Sequence, residues 1–138
     1  MQYYSIEPEV AGGLGDDTLL DASVHPPIVT KLHYEFSGWL GDSIVESFPS
    51  FIVSEELADR LKESHVTGVD FDSVSVTKSP EFIDSNLDRE FPNWLWLRFC
   101  GDSSDDVYVN SSHLLVVSER VLLMLKEAGL AHADVEEI

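Results

Sequence analysis

An eleven-residue phrase occurs twice in this chain, as VSEELADRLKE at residues 53–63 and as VSERVLLMLKE at residues 117–127. Six of the eleven positions are identical, and the copies lie 64 residues apart in a sequence of 138. The phrase has the form of a helix start. A serine hydroxyl can accept from the free N–H groups of a first helical turn, and acids beside it meet the positive end of the helix dipole. Ser54 and Ser118 are therefore read as N-caps, with Glu55 and Glu119 in the first turn. In the first copy, Leu57, Ala58 and Leu61 form an apolar stripe on a charged helix. In the second, the run from Val121 to Leu125 leaves little polar surface. The contrast predicts a surface helix first and a more deeply buried one second, with Gly129 placed to end the latter.

Strand signals flank both helices in the same order. IVTKLHYEF puts Leu32, Tyr34 and Phe36 on one face and Lys31, His33 and Glu35 on the other, the pattern of a half-buried strand. IVESFPSFIV reads as two short strands because Pro49 interrupts it. VDFDSVSV follows the first helix as a strand, with Val69 and Phe71 inward. WLWLRF, VYV and HLLVV precede the second helix, and a short strand near residues 133–136 follows it. Apolar residues on both faces of WLWLRF place it at the centre of a sheet. LHYEFSG at 32–38 lines up with LWLRFCG at 95–101, and VDFD at 69–72 with ADVE at 133–136. The expectation is one α+β domain over 1–138, made of two pseudo-repeated β-β-α-β halves at 30–76 and 94–138. Its sheet is mainly antiparallel or mixed, and it has two helices. Residues 1–29 form an N-terminal strand, QYYSI, and a loop arm; residues 77–93 form a linker loop.

Charge narrows the partners. Asp and Glu number 26 against 8 Lys plus Arg, a formal net charge of −18. Such a field repels nucleic acid and anionic membranes and favours encounter with a basic protein. No stretch reaches the roughly 20 apolar residues of a membrane helix, and MQYYSIEPEV lacks the basic start of a secretory leader. A cytoplasmic location is expected. The single cysteine excludes an internal disulfide framework and a zinc site of several thiolates.

Individual motifs carry little chemistry. GDSSDD at 101–106 lacks the alternating acids and bend glycine of a calcium loop. AGGLGDD at 11–17 lacks the lysine of a phosphate loop, and its acids repel phosphate. His25, His33, His65, His113 and His132 show no ligand spacing and read as surface or turn residues. Cys100, between an apolar strand and an acidic loop, reads as a buried structural thiol. No cofactor or metal is expected. Trp39, between glycines in SGWLGD, either packs back onto the core or stands out as a partner's anchor.

YEFSGWLGDSIVESFPSFIVSEELADRL, the strand WLWLRF and the ending HLLVVSERVLLMLKEAGLAHADVEEI resemble bacterial immunity proteins of polymorphic toxin systems. More narrowly, they resemble the small immunity domain first described from a myxobacterial protein. The likeness covers most of residues 30–138. It implies a non-catalytic cytoplasmic protein that binds one cognate toxin domain and occludes it. Charge and expected exposure, rather than the family, nominate the partner-binding residues. These are Trp39, Asp42 and Glu46 around the first turn, and Asp102, Asp105 and Asp106 in its counterpart. Two rival readings stand beside this one. A small hydrolase using paired carboxylates would need a cleft holding an acid of raised pKa. A scaffold module would use the repeat as a dimer-like symmetry.

Overall fold

The computed structural model describes residues 2–85 and 90–138, in which seven strands precede the first helix. In chain order they are β1 (Tyr3–Glu7), β2 (Gly12–Leu14), β3 (Leu19–Asp21), β4 (Ile28–Lys31), β5 (His33–Phe36), β6 (Ile44–Ser47) and β7 (Ser50–Ser54). Helix α1 (Glu55–Glu63) follows, then β8 (Val69–Asp72), β9 (Ser75–Lys78) and α2 (Pro80–Ser85). The chain ends with β10 (Trp94–Phe99), β11 (Val107–Val109), β12 (Leu115–Ser118), α3 (Glu119–Gly129) and β13 (Asp134–Glu137). The fold is α+β. Among the described residues no helix is long and apolar enough to cross a membrane.

Two four-stranded sheets share one layout. The first has the order β6-β7-β10-β8 and the second β11-β12-β1-β13. In each, a hairpin leads into a helix and then into a strand that returns parallel to the hairpin's second strand. An antiparallel strand from elsewhere in the chain fills the gap: β10 in the first sheet, β1 in the second. Trp94 lies opposite Ser54 just as Tyr3 lies opposite Ser118. The remaining strands form a three-stranded sheet, β2-β5-β9, and the ribbon β3-β4.

Strand β10 shows why its sequence has no polar face. Trp94 and Trp96 pack into an aromatic core with Tyr34, Phe36, Trp39 and Phe82. Leu97 points the other way, into a core with Leu57, Leu61, Val121 and Leu125 from α1 and α3. A strand between two cores must be apolar on both sides, and each large side chain so buried stabilises by about 1.5–3 kcal/mol. The helices run antiparallel: Arg120, at the start of α3, reaches the Ser64 carbonyl just past the end of α1.

Several expectations need correction. IVTKLHYEF is two strands in different sheets, because β4 pairs with β3 while β5 is claimed by β2 and β9. Leu32, Tyr34 and Phe36 are buried as expected, but so is His33. VDFDSVSV likewise divides into β8 and β9. The N-terminal arm contains β2 and β3, and the linker contains α2, a third helix; residues 86–89 of that linker lie outside the described residues. Two glycines of AGGLG serve close approach, since a Cβ on Gly12 would overlap the Glu35 carbonyl oxygen and one on Gly15 the His33 ring, whereas Gly13 faces open space. Strand β5 does not correspond to β10, because the two occupy unrelated sheets; the counterpart of β10 is β1. Nor is α3 the more buried helix. Each helix buries three side chains, and Leu123 of α3 is 55 % exposed, because the helices cover each other and leave their outer faces open.

Candidate functional site

Two aspartates, each placed shortly before the first strand of a hairpin, hold the chain that follows the other half's helix. Asp42, before β6, accepts from the backbone N–H groups of Ala131 (2.9 Å) and His132 (2.8 Å), which follow α3. Asp106, before β11, accepts from the N–H of Thr67 (3.1 Å), which follows α1. Backbone bonds reinforce both contacts: Ser43 N–H to the Gly129 carbonyl, and Val107 N–H to the Thr67 carbonyl. The exchange is reciprocal. Helix α3 separates the two clasps, and its 11 residues at about 1.5 Å each keep them roughly 16 Å apart.

The Asp106 clasp is fully compensated. Arg120 grips its carboxylate with two donors, Nε to Oδ1 at 3.0 Å and Nη2 to Oδ2 at 2.6 Å. The Ser118 hydroxyl donates to Oδ1 at 2.8 Å. This corrects the expected N-cap: Ser54 does accept from Leu57 N–H at 3.2 Å, but Ser118 makes no cap bond because its hydroxyl is turned to Asp106. The Arg120 guanidinium, with help from Thr67 and Ser118, holds the Asp106 carboxyl well below the usual carboxylate range against the opposing effect of burial.

Among the described residues no arginine or lysine pairs with Asp42. Glu9 lies beside it, 8 % exposed, on the chain leaving β1. Its Oε2 accepts from Leu40 N–H at 2.7 Å, and its Oε1 has no hydrogen-bond partner among the described residues. Burial pushes the Glu9 carboxyl up and the Asp42 charge adds to it, while the Leu40 N–H, the His132 imidazole and the Asp42 N–H offset part of the rise. Glu46, on β6, is half-buried and is also pushed up, by burial first and then by Glu7. Its N–H donates to the Glu9 carbonyl at 2.9 Å. Tyr34 ties the two segments from below, donating to the Glu46 carbonyl at 2.9 Å and accepting from Ala11 N–H at 3.1 Å.

Glu9 and Glu46 line a cleft of about 810 Å3, whose walls also include Glu7, Phe48, His132 and Asp134. Phe48, at the tip of the β6–β7 hairpin, is 45 % exposed and packs with His25 and His113 at ring separations of 6.0 and 6.1 Å. A concave acidic site with one aromatic rim can receive a cationic group, and its two raised carboxyls can also exchange protons.

The nominated residues fare unequally. Trp39 is buried rather than presented: Nε1 donates to the Asp42 carbonyl at 2.8 Å, and the ring meets Phe91 and Trp94 edge-on. Asp42 and Asp106 are buried clasps. Glu46 lines the cleft. Asp102 is exposed and Asp105 half-buried in a self-bonded turn, where Asp102 accepts from Ser104 N–H and Oγ while Asp105 accepts from Asp102 N–H. The structure therefore brings Asp42 and Glu46 to one place and the other three acids to the far end of α3. Glu9 and Phe48 were not nominated. An acid set between proline and valine in SIEPEVA was the available sign for Glu9, and the Phe-Pro hairpin tip for Phe48.

Two residues read wrongly for chemistry are also settled. Cys100 is exposed, because β10 ends before it; its N–H donates to the carbonyl of the buried Gly68. His33 is internal: Nδ1 accepts from Asp17 N–H at 3.2 Å, which places the ring proton on Nε2, facing Thr77 Oγ1 at 2.7 Å. No group of three or more His, Cys, Asp or Glu side chains among the described residues has the arrangement of a metal site. Compared with protein-family models the sequence matches none, and a search of curated proteins finds no match.

Proposed function

We propose that this protein is an immunity-type inhibitor that binds a basic toxin domain one to one and occludes it. The observation that carries the reading is charge: 26 acids against 8 basic residues, with Glu7, Glu9, Glu46 and Asp134 converging on one cleft. A field of that sign steers a basic partner and speeds encounter more than it deepens final affinity. The resemblance of residues 30–138 to immunity proteins supports the same function. Coexpression with the product of the adjacent gene, assayed for toxicity and binding, is the test. A stoichiometric complex, relief of toxicity and an association rate that drops as salt rises are expected. A toxin that neither binds nor is neutralised overturns the reading.

The raised Glu9 and Glu46 carboxyls favour one alternative, a hydrolase that uses the pair as acid and base. It requires turnover of a glycoside or ester substrate that disappears in both Glu9→Gln and Glu46→Gln. Equal rates for wild type and both variants remove it.

A further inference from the structure

We infer that the Glu9 cleft is a receptor for an arginine side chain of a protein partner. The inference deepens the proposed function and rests on it for the identity of that partner. Its starting point is the Oε1 atom of Glu9, a buried carboxylate oxygen without a partner among the described residues. Leaving such an atom unsatisfied is costly, and one that a fold keeps calls for a group that completes it. The neighbours are mostly acidic: Asp42 spends its two oxygens on backbone N–H groups, Glu46 and Asp134 line the same space, and the His132 imidazole is the one basic group of the lining that favours a charged Glu9. The missing partner is therefore a donor and a cation.

Two observations select guanidinium. The acids are too dispersed to form a metal cluster among the described residues, which favours a cation that spreads its charge over several donors. The rim carries an exposed Phe48, and a planar guanidinium stacks on an aromatic face while still forking onto a carboxylate; a lysine ammonium does the latter less well. A side chain entering from a partner also brings no carboxylate of its own, whereas free arginine would carry one into an acidic cleft.

The experiment is an NMR titration of the intact protein with acetyl-Gly-Arg-Gly-amide. Lysine and citrulline versions and free arginine serve as comparisons. Saturable shifts at the amides of Leu40, Glu46, Phe48 and His132 are expected, with lysine and free arginine weaker and citrulline silent. Glu9→Gln keeps an oxygen for the Leu40 N–H and so keeps the fold, yet it should weaken the arginine peptide about tenfold or more. Phe48→Ala, at an exposed tip, should weaken it about threefold. The inference is overturned if citrulline matches arginine, if free arginine binds as well as the peptide, or if the shifts map to residues 102–106. Unchanged affinity in Glu9→Gln overturns it too. A toxin that binds wild type and Glu9→Gln equally would sink this site while leaving the inhibitor reading intact. Arginine-peptide binding without any toxin complex would do the reverse.

Discussion

The two aspartate clasps do the same mechanical work with opposite electrostatics. Asp106 meets an arginine fork, a hydroxyl and a backbone N–H; Asp42 meets two backbone N–H groups and, next to it, a buried glutamate with a free oxygen. A single letter of the repeated phrase separates them. VSER carries Arg120 where VSEE carries Glu56, so one helix start delivers a cation to its clasp and the other does not. A compensated buried acid is a structural device. An uncompensated one lowers stability, and its retention points to a ligand that completes it.

The largest effect should come from emptying the compensated clasp. Asp106→Ala strips acceptors from Thr67 N–H, Ser118 Oγ and Arg120, and should cost about 3 kcal/mol of unfolding free energy in urea titration. Asp42→Ala loses two charged hydrogen bonds but relieves repulsion on Glu9, so a cost of about 2 kcal/mol is expected. If Asp42→Ala proved the more damaging, the contrast between the clasps would fail.

Titration separates them by sign. The folded Asp106 carboxyl lies below its unfolded value of about 3.9. Its contribution is therefore complete above that pH and is lost as pH falls toward the folded value. Glu9 is the mirror case. Its folded value lies above the unfolded one of about 4.3, so its contribution is complete below that pH and is lost as pH rises through the folded value. Glu9→Gln should accordingly stabilise the free protein by about 1 kcal/mol at pH 7, a gain that vanishes below about pH 4. Thermal melts across pH 3–8 read both trends. An Asp106→Asn variant with the acid sensitivity of wild type would contradict the first, and a destabilised Glu9→Gln at pH 7 the second.

How much of this was legible beforehand follows from the reach of each signal. Periodicity acts within a segment, so the doubly apolar β10, the Pro49-split hairpin and helices α1 and α3 were readable from their own residues. Partner choice between distant strands was not. Nothing in QYYSI announces that β1 fills a gap between β12 and β13, more than a hundred residues away. The exposure expected of Trp39, Asp42 and Asp106 failed for the same reason. A polar or aromatic residue in a glycine-flanked turn reads as exposed until a remote segment folds over it, here residues 129–132 for Asp42 and α3 for Asp106. Ser118 shows the limit of local capping rules, since a nearby aspartate outcompetes the helix N–H groups for its hydroxyl.

Exchanging the fourth letter of the phrase in both directions sets a large effect against the smallest one expected. Arg120→Glu places a second acid against Asp106 and abandons the Ser64 carbonyl as well, so a loss of about 3 kcal/mol is expected. Glu56→Arg, at the matching position of α1, gives up only an exposed contact with Arg60 at 3.3 Å and a favourable place near the helix N-terminus. In return, an arginine there gains the carbonyls at the end of the antiparallel α3, as Arg120 does at the end of α1. The net change should stay within about 0.5 kcal/mol. It should also leave the Glu9 carboxyl uncompensated, because Glu56 borders a different recess, with Trp39, Ser43 and Ala128. Arginine-peptide affinity should then be unchanged while the Arg120→Glu protein unfolds earlier in urea. Equal and opposite stability changes from the two exchanges would mean that the helix starts, not the clasps they serve, set the difference between the halves.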